Sequence, residues 1–112
     1  MKFNFTYIIS YDIKEDDVRD MFRELIKGKC GAEKLSESTY AFSSVHSVPA
    51  VKEVAMNLYV AACKENNKEI NKEDKVWLIC AEKKADPNTN KPYEMACYNL
   101  VTELLHNLYR NN

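Results

Sequence analysis

The sequence predicts one α+β domain, ordered strand, helix, strand, strand, helix, strand, with an added helix at the C-terminus. Three observations predict it. Period-two apolar runs alternate with stripes of helical period. Turn-forming and charged residues fall between them. With 112 residues and only two glycines and three prolines, the chain has room for one core and no long flexible linker.

Residues 3–11 (FNFTYIISY) are aromatic and β-branched and read as the first strand. Phe3, Phe5, Tyr7, Ile9 and Tyr11 share one face; Asn4, Thr6, Ile8, Ser10 and Asp12 share the other. A helix follows, with Asp16 or Asp17 as N-cap and the acids Glu15–Asp17 at its positive end. Val18, Met21, Phe22, Leu25 and Ile26 form its apolar stripe, and Gly28 or Gly31 ends it. Residues 32–36 and 38–43 read as two short strands. Ser47 caps the second helix, with Pro49 in its first turn and a stripe of Val51, Val54, Ala55, Leu58, Tyr59 and Ala62. Residues 64–74 read as a long polar loop or frayed helix end.

Residues 75–82 (KVWLICAE) form the last strand, apolar on both faces. Such a strand is normally covered on both sides. Residues 86–90 (DPNTN) read as a turn-forming linker. Pro92 then opens a final helix over 91–110, lined by Cys97, Val101, Leu104, Leu105 and Leu108. The order is that of the ferredoxin-like βαββαβ unit, a four-stranded antiparallel sheet over residues 3–84, with the C-terminal helix added. Right-handed crossovers put both inner helices on one face. The other face must be hidden by the C-terminal helix, by a second chain, or by both. A homodimer packed through that face is the expected arrangement.

Sixteen basic and 17 acidic residues give a net charge of −1. That balance excludes a strongly electrostatic grip on a phosphate backbone, leaving room only for a local patch. Four cysteines (Cys30, Cys63, Cys80, Cys97) and two histidines lie without metal-finger spacing and read as free thiols of a reducing compartment. No signal peptide or membrane span is apparent, which implies a cytoplasmic protein.

Asp12 is the leading candidate for chemistry. It ends the first strand on the face opposite the aromatic residues. A two-fold axis over that face brings two Asp12 carboxylates together, an arrangement able to hold a divalent cation. The competing reading is a turn-forming acid between strand and helix. Arg19 and Arg23 share a face of the first helix. Lys27, Lys29 and Lys34 cluster near its end, and Lys83 and Lys84 follow the last strand. Each group reads either as solvated surface or as a phosphate-binding patch. Glu103 and His106 stand three apart on the last helix, and His46 sits in a loop. Trp77, Tyr40 and Phe42 read as core or as base-stacking surfaces.

The stretch Tyr7-Ile8-Ile9-Ser10-Tyr11-Asp12-Ile13, the amphipathic helix after it, and Ser38-Thr39-Tyr40-Ala41-Phe42 resemble the CRISPR-associated spacer-acquisition endonuclease superfamily. That superfamily includes SinR-like and virulence-associated protein D relatives, and the resemblance spans about residues 5–82. It implies a ferredoxin-like homodimer in which Asp12 is the catalytic and metal-binding carboxylate, with magnesium or manganese as the ion. Ser10 and Ser38 are then supporting polar groups, RNA or DNA the substrate, and a defence or toxin–antitoxin system the setting. The acidic run after Asp12 and the balanced charge favour a second reading, a non-catalytic module that binds another protein.

Overall fold

The computed structural model describes residues 5–83 and 93–110. The expected linker at 86–90, Pro92, Lys84 and the first residues of the opening strand lie outside the described residues.

The elements are β1 (Phe5–Asp12), α1 (Asp16–Cys30), β2 (Glu33–Ser36), β3 (Thr39–Ser44), α2 (Val48–Glu65), β4 (Lys75–Lys83), β5 (Tyr93–Asn99) and α3 (Leu100–Arg110). The five strands form one antiparallel sheet in the order β2-β3-β1-β4-β5. The first four strands are compatible with the expected ferredoxin-like arrangement. The fifth, at the edge beside β4, is an addition to it.

β1 is the central strand, pairing with β3 (Ile9↔Tyr40) and with β4 (Ile9↔Leu78). Its alternation has the predicted sense. Tyr7, Ile9 and Tyr11 are buried beneath the helices, together with Val76, Leu78 and Cys80 of β4. Aromatic rings fix the packing of this layer. Tyr7 stacks on Phe42 at 5.5 Å, Tyr11 meets Phe22 edge-on at 5.5 Å, and Phe22 meets Tyr59 at 6.3 Å.

α1 buries Val18, Phe22 and Ile26, four residues apart, as a single stripe must. Its N-cap is Glu15 rather than Asp16 or Asp17, which lie inside the first turn. There their negative charge still complements the helix dipole. Gly31, at φ 65°, closes the helix in the left-handed conformation, and the next residue, Ala32, donates its N–H to the Ile26 carbonyl at 3.2 Å; Gly28 lies inside the helix. α2 starts where expected, after Ser47, and buries Val51, Ala55, Tyr59, Ala62 and Cys63. Val54, predicted on the buried stripe, is exposed.

The largest correction concerns residues 93–99. The helix expected over 91–110 is a strand in its first half, and only Leu100–Arg110 is helical. Glu94, Met95 and Ala96 are good helix formers, but propensity is a weak prior. β4 has an apolar flank beyond β1, and β5 pairs with it from Trp77↔Asn99 to Lys83↔Tyr93. Completing that ladder outweighs the local preference. Cys97, expected on a helix, is therefore an exposed residue of an edge strand.

α3 packs against α2 and β4, burying Leu100 and Val101. All three helices thus share one face of the sheet. The C-terminal helix does not roof the other face.

Candidate functional site

The uncovered face is built from every second residue of four strands. Cross-strand register places Ile8 between Ala41 and Ile79, and Ser10 between Thr39 and Trp77. Beyond β4, Cys97 lies opposite Ile79 and Met95 opposite Ala81. The result is an apolar band of Ile8, Trp77, Ile79, Ala81 and Met95, with Met95 68% exposed. Water contact over such a band is unfavourable by roughly 25 cal/mol per Å² of apolar surface.

Asp12 lies at one end of this face, paired in register with Lys75. Its side chain is 65% exposed, and Lys14 Nζ donates to its Oδ2 at 3.0 Å. Ser10 accepts a 3.3 Å hydrogen bond from the Thr39 hydroxyl. Ser38 belongs to the turn between β2 and β3 rather than to the start of β3, and its carbonyl accepts the Tyr11 N–H at 3.0 Å. The fold therefore gathers Asp12, Ser10 and Ser38 at one end of the sheet, but without direct contact between their side chains.

Among the described residues no group of three His, Cys, Asp or Glu side chains converges. Asp12 is a lone carboxylate with a lysine already on it, and a second copy would have to supply the remaining ligands.

The basic candidates lie elsewhere. Arg19, Arg23 and Lys27 are on α1, across the sheet from Asp12, and each has acidic neighbours. Arg19 binds Asp16 at 2.9 Å, Arg23 binds Asp20 at 3.0 Å, and Lys27 stands 3.7 Å from Glu24. Lys34 pairs with Glu37 at 2.8 Å, which raises the lysine pKa and lowers that of the glutamate. Lys29 is exposed in the last turn of α1. This is a surface of alternating charge, with little net field toward a phosphate chain.

Two side-chain clusters escaped sequence reasoning. The first centres on Asp74, a buried carboxylate at the entry to β4. It accepts the Lys14 backbone N–H at 2.9 Å and the Tyr59 hydroxyl at 2.6 Å, while Tyr59 Oη accepts the Asn71 N–H at 3.3 Å. Burial, then the bond to Asp74, pushes the Tyr59 pKa up. This clamp fixes the chain just past Asp12. The only signal in the sequence is an acid directly before an apolar strand.

The second cluster lies between α2, α3 and β5. Lys52 binds Glu103 at 2.8 Å and sits 3.8 Å over the Tyr98 ring, and Tyr98 donates to Glu82. The bond to Glu82, then burial, pushes Tyr98 to about 12. Glu103 therefore pairs with Lys52 rather than with His106, which is exposed along an open cleft of about 650 Å³ between α2 and α3. This cluster was hidden because Tyr98 was expected on a helix. His46 is an exposed loop residue whose carbonyl accepts the Tyr7 hydroxyl at 2.7 Å.

All four cysteines are free. Burial pushes the thiols of Cys30, Cys63 and Cys80 up, away from nucleophilic use. Tyr40 and Phe42 are core residues, whereas Trp77 stays partly exposed on the open face. No helix among the described residues is long and apolar enough to cross a membrane. No protein-family model, curated protein or solved structure matches this chain.

Proposed function

We propose that the chain is a binding module on a ferredoxin-like core that associates with a second copy through its uncovered sheet face, and that it acts as an adaptor rather than a catalyst. The observation that carries this reading is the placement of all three helices on one face, which leaves Ile8, Trp77 and Ile79 partly exposed and Met95 exposed on the other. Monomeric proteins rarely leave a contiguous apolar band of this kind in water. The acid-paired lysines and arginines of α1 support a protein partner over a nucleic acid.

Ile8 and Ile79 face each other across β1 and β4. The double variant Ile8→Glu/Ile79→Lys replaces an apolar cross-strand pair by an opposite-charge one, which a sheet tolerates. Its mass by light scattering is expected to be half that of the wild type. An unchanged mass refutes the sheet-face dimer.

A second reading follows from Asp12 itself. It ends β1 on the face through which the copies would meet, and the resemblance to the CRISPR-associated spacer-acquisition endonucleases gives such an acid a metal-dependent role in cutting RNA or DNA. Cleavage that requires magnesium or manganese and is abolished by Asp12→Ala supports it. Equal cleavage by wild type and variant refutes it. Affinity for nucleic acid measured against salt separates the readings, because phosphate binding falls steeply as salt rises.

A further inference from the structure

We propose that the cleft between α2 and α3 binds a small aliphatic diamine, with one ammonium at Glu103, the other at Glu53, and the methylene chain laid over Met56 and Leu104. The cleft lies on the helix side of the sheet, so this site does not depend on association through the sheet face.

The two helices supply opposite walls. Glu53 and Met56 come from α2, and Glu103 and Leu104 from α3. Met56 and Leu104 are half-buried and packed against the core, which gives a methylene chain an apolar floor. The cleft, of about 650 Å³, falls within the range of roughly 300–1,000 Å³ usual for small-molecule sites.

Charge selects the ligand. Lys52 is the one lysine or arginine on the cleft among the described residues, and it is already engaged. Its ammonium is 2.8 Å from Glu103 Oε1 and 3.8 Å over the Tyr98 ring, and its side chain is only 20% exposed. What remains free is carboxylate. Glu53 is exposed and makes no ion pair among the described residues. The second oxygen of Glu103, Oε2, is shut off from solvent and accepts no hydrogen bond. A buried acceptor without a donor is costly and uncommon. The Glu103 side chain as a whole is 38% exposed, so a small turn of its carboxylate presents Oε2 to the cleft and leaves Oε1 to Lys52.

The occupant must therefore bring N–H donors and positive charge. A metal ion does not suit, because no three ligating side chains converge among the described residues. A neutral polyol satisfies Oε2 but leaves Glu53 uncompensated. A single ammonium, such as a lysine side chain of another protein, reaches one carboxylate, whereas a diamine reaches both.

Amide NMR of the full chain titrated with cadaverine at low salt tests the site. Expected are saturable shifts centred on residues 49–57 of α2 and 102–107 of α3. Glu53→Gln should weaken binding about threefold, as loss of an exposed ion pair does. Glu103→Gln should weaken it about tenfold or more, because a charged hydrogen bond in a sheltered wall is lost. Glu53 is exposed, so its variant reports on the site even if Glu103→Gln disturbs the fold. The pentanediol of the same chain length should give no saturable shift, and N-acetyl-lysine methylamide should bind at least about threefold more weakly than cadaverine. Equal binding of the diol overturns the proposal, and equal binding of the lysine derivative overturns the diamine as its occupant. Shifts centred on the acidic first turn of α1, or an unchanged affinity in the Glu53 variant, also overturn it.

Discussion

Replacing Asp74 by alanine isolates the clamp that fixes the chain just past Asp12. The carboxylate is 3% exposed and accepts two hydrogen bonds, from the Lys14 N–H at 2.9 Å and the Tyr59 hydroxyl at 2.6 Å. Alanine removes both acceptors, and each orphaned donor costs about 1–3 kcal/mol. The variant also relieves the desolvation of a carboxylate that has no cation within ion-pairing distance among the described residues, so the two costs do not add in full. The expected net loss is about 2–4 kcal/mol, within the typical stability of about 5–15 kcal/mol, so the chain still folds. At roughly 4 °C per kcal/mol the midpoint falls by about 8–16 °C. Urea unfolding followed by Trp77 fluorescence measures the free energy. Tyr59→Phe removes only one of the two bonds and should cost about 1 kcal/mol. The double variant should fall short of the sum of the singles by at least about 0.5 kcal/mol, since the residues share a bond. A loss under about 0.5 kcal/mol for Asp74→Ala, with additive singles, refutes the clamp.

The other outcomes are quicker to check. Gly31→Ala places a Cβ at φ 65° in open space, where strain is the only penalty, so it should cost about 1 kcal/mol in thermal unfolding. Tyr98 ionises near 12 rather than 10, so its contribution to stability is intact below about pH 10 and is lost as pH rises through about 12. Difference absorbance against Tyr98→Phe reads that ionisation, and Glu82→Gln should bring it back toward the ordinary value. In the Ile8→Glu/Ile79→Lys variant, where the sheet face is open, Cys97 should be the first thiol to react with a disulfide reagent, ahead of Cys63 and Cys80, and adding Cys97→Ser should remove the fast phase.

The elements legible in the sequence are those where local pattern and tertiary demand agree. β1 could be read residue by residue because its aromatic face lies under helices and its polar face does not. α1 and α2 were fixed by four-residue spacing, by Gly31 and by Ser47. The misreading at 93–99 arose where the two demands conflict. The deciding partner there is β4, which lies outside any local window. The same conflict concealed the Lys52–Tyr98–Glu82 cluster, because no sequence rule places Tyr98 over a lysine of α2. Asp74 was concealed for another reason. A buried acid without a cation looks in sequence like any polar loop residue, and only its two donors mark it as structural.

The misread strand also decides how the uncovered face is to be explained. Had residues 91–110 formed one long helix, it could have crossed the bare side of the sheet and made the fold self-sufficient. By spending seven residues on β5, the chain widens its apolar face with Met95 and Cys97. It also commits the short helix that remains to the side already occupied by α1 and α2. One local choice therefore enlarges the surface that needs a partner and removes the element that could have covered it. On the proposed reading, association is the physical complement of this topology, and a second carboxylate beside Asp12, at the rim of the same surface, would come from a neighbouring copy. A wild-type chain that stays monomeric at high concentration, with Met95 and Trp77 still open to solvent, would break this chain of reasoning at its first link.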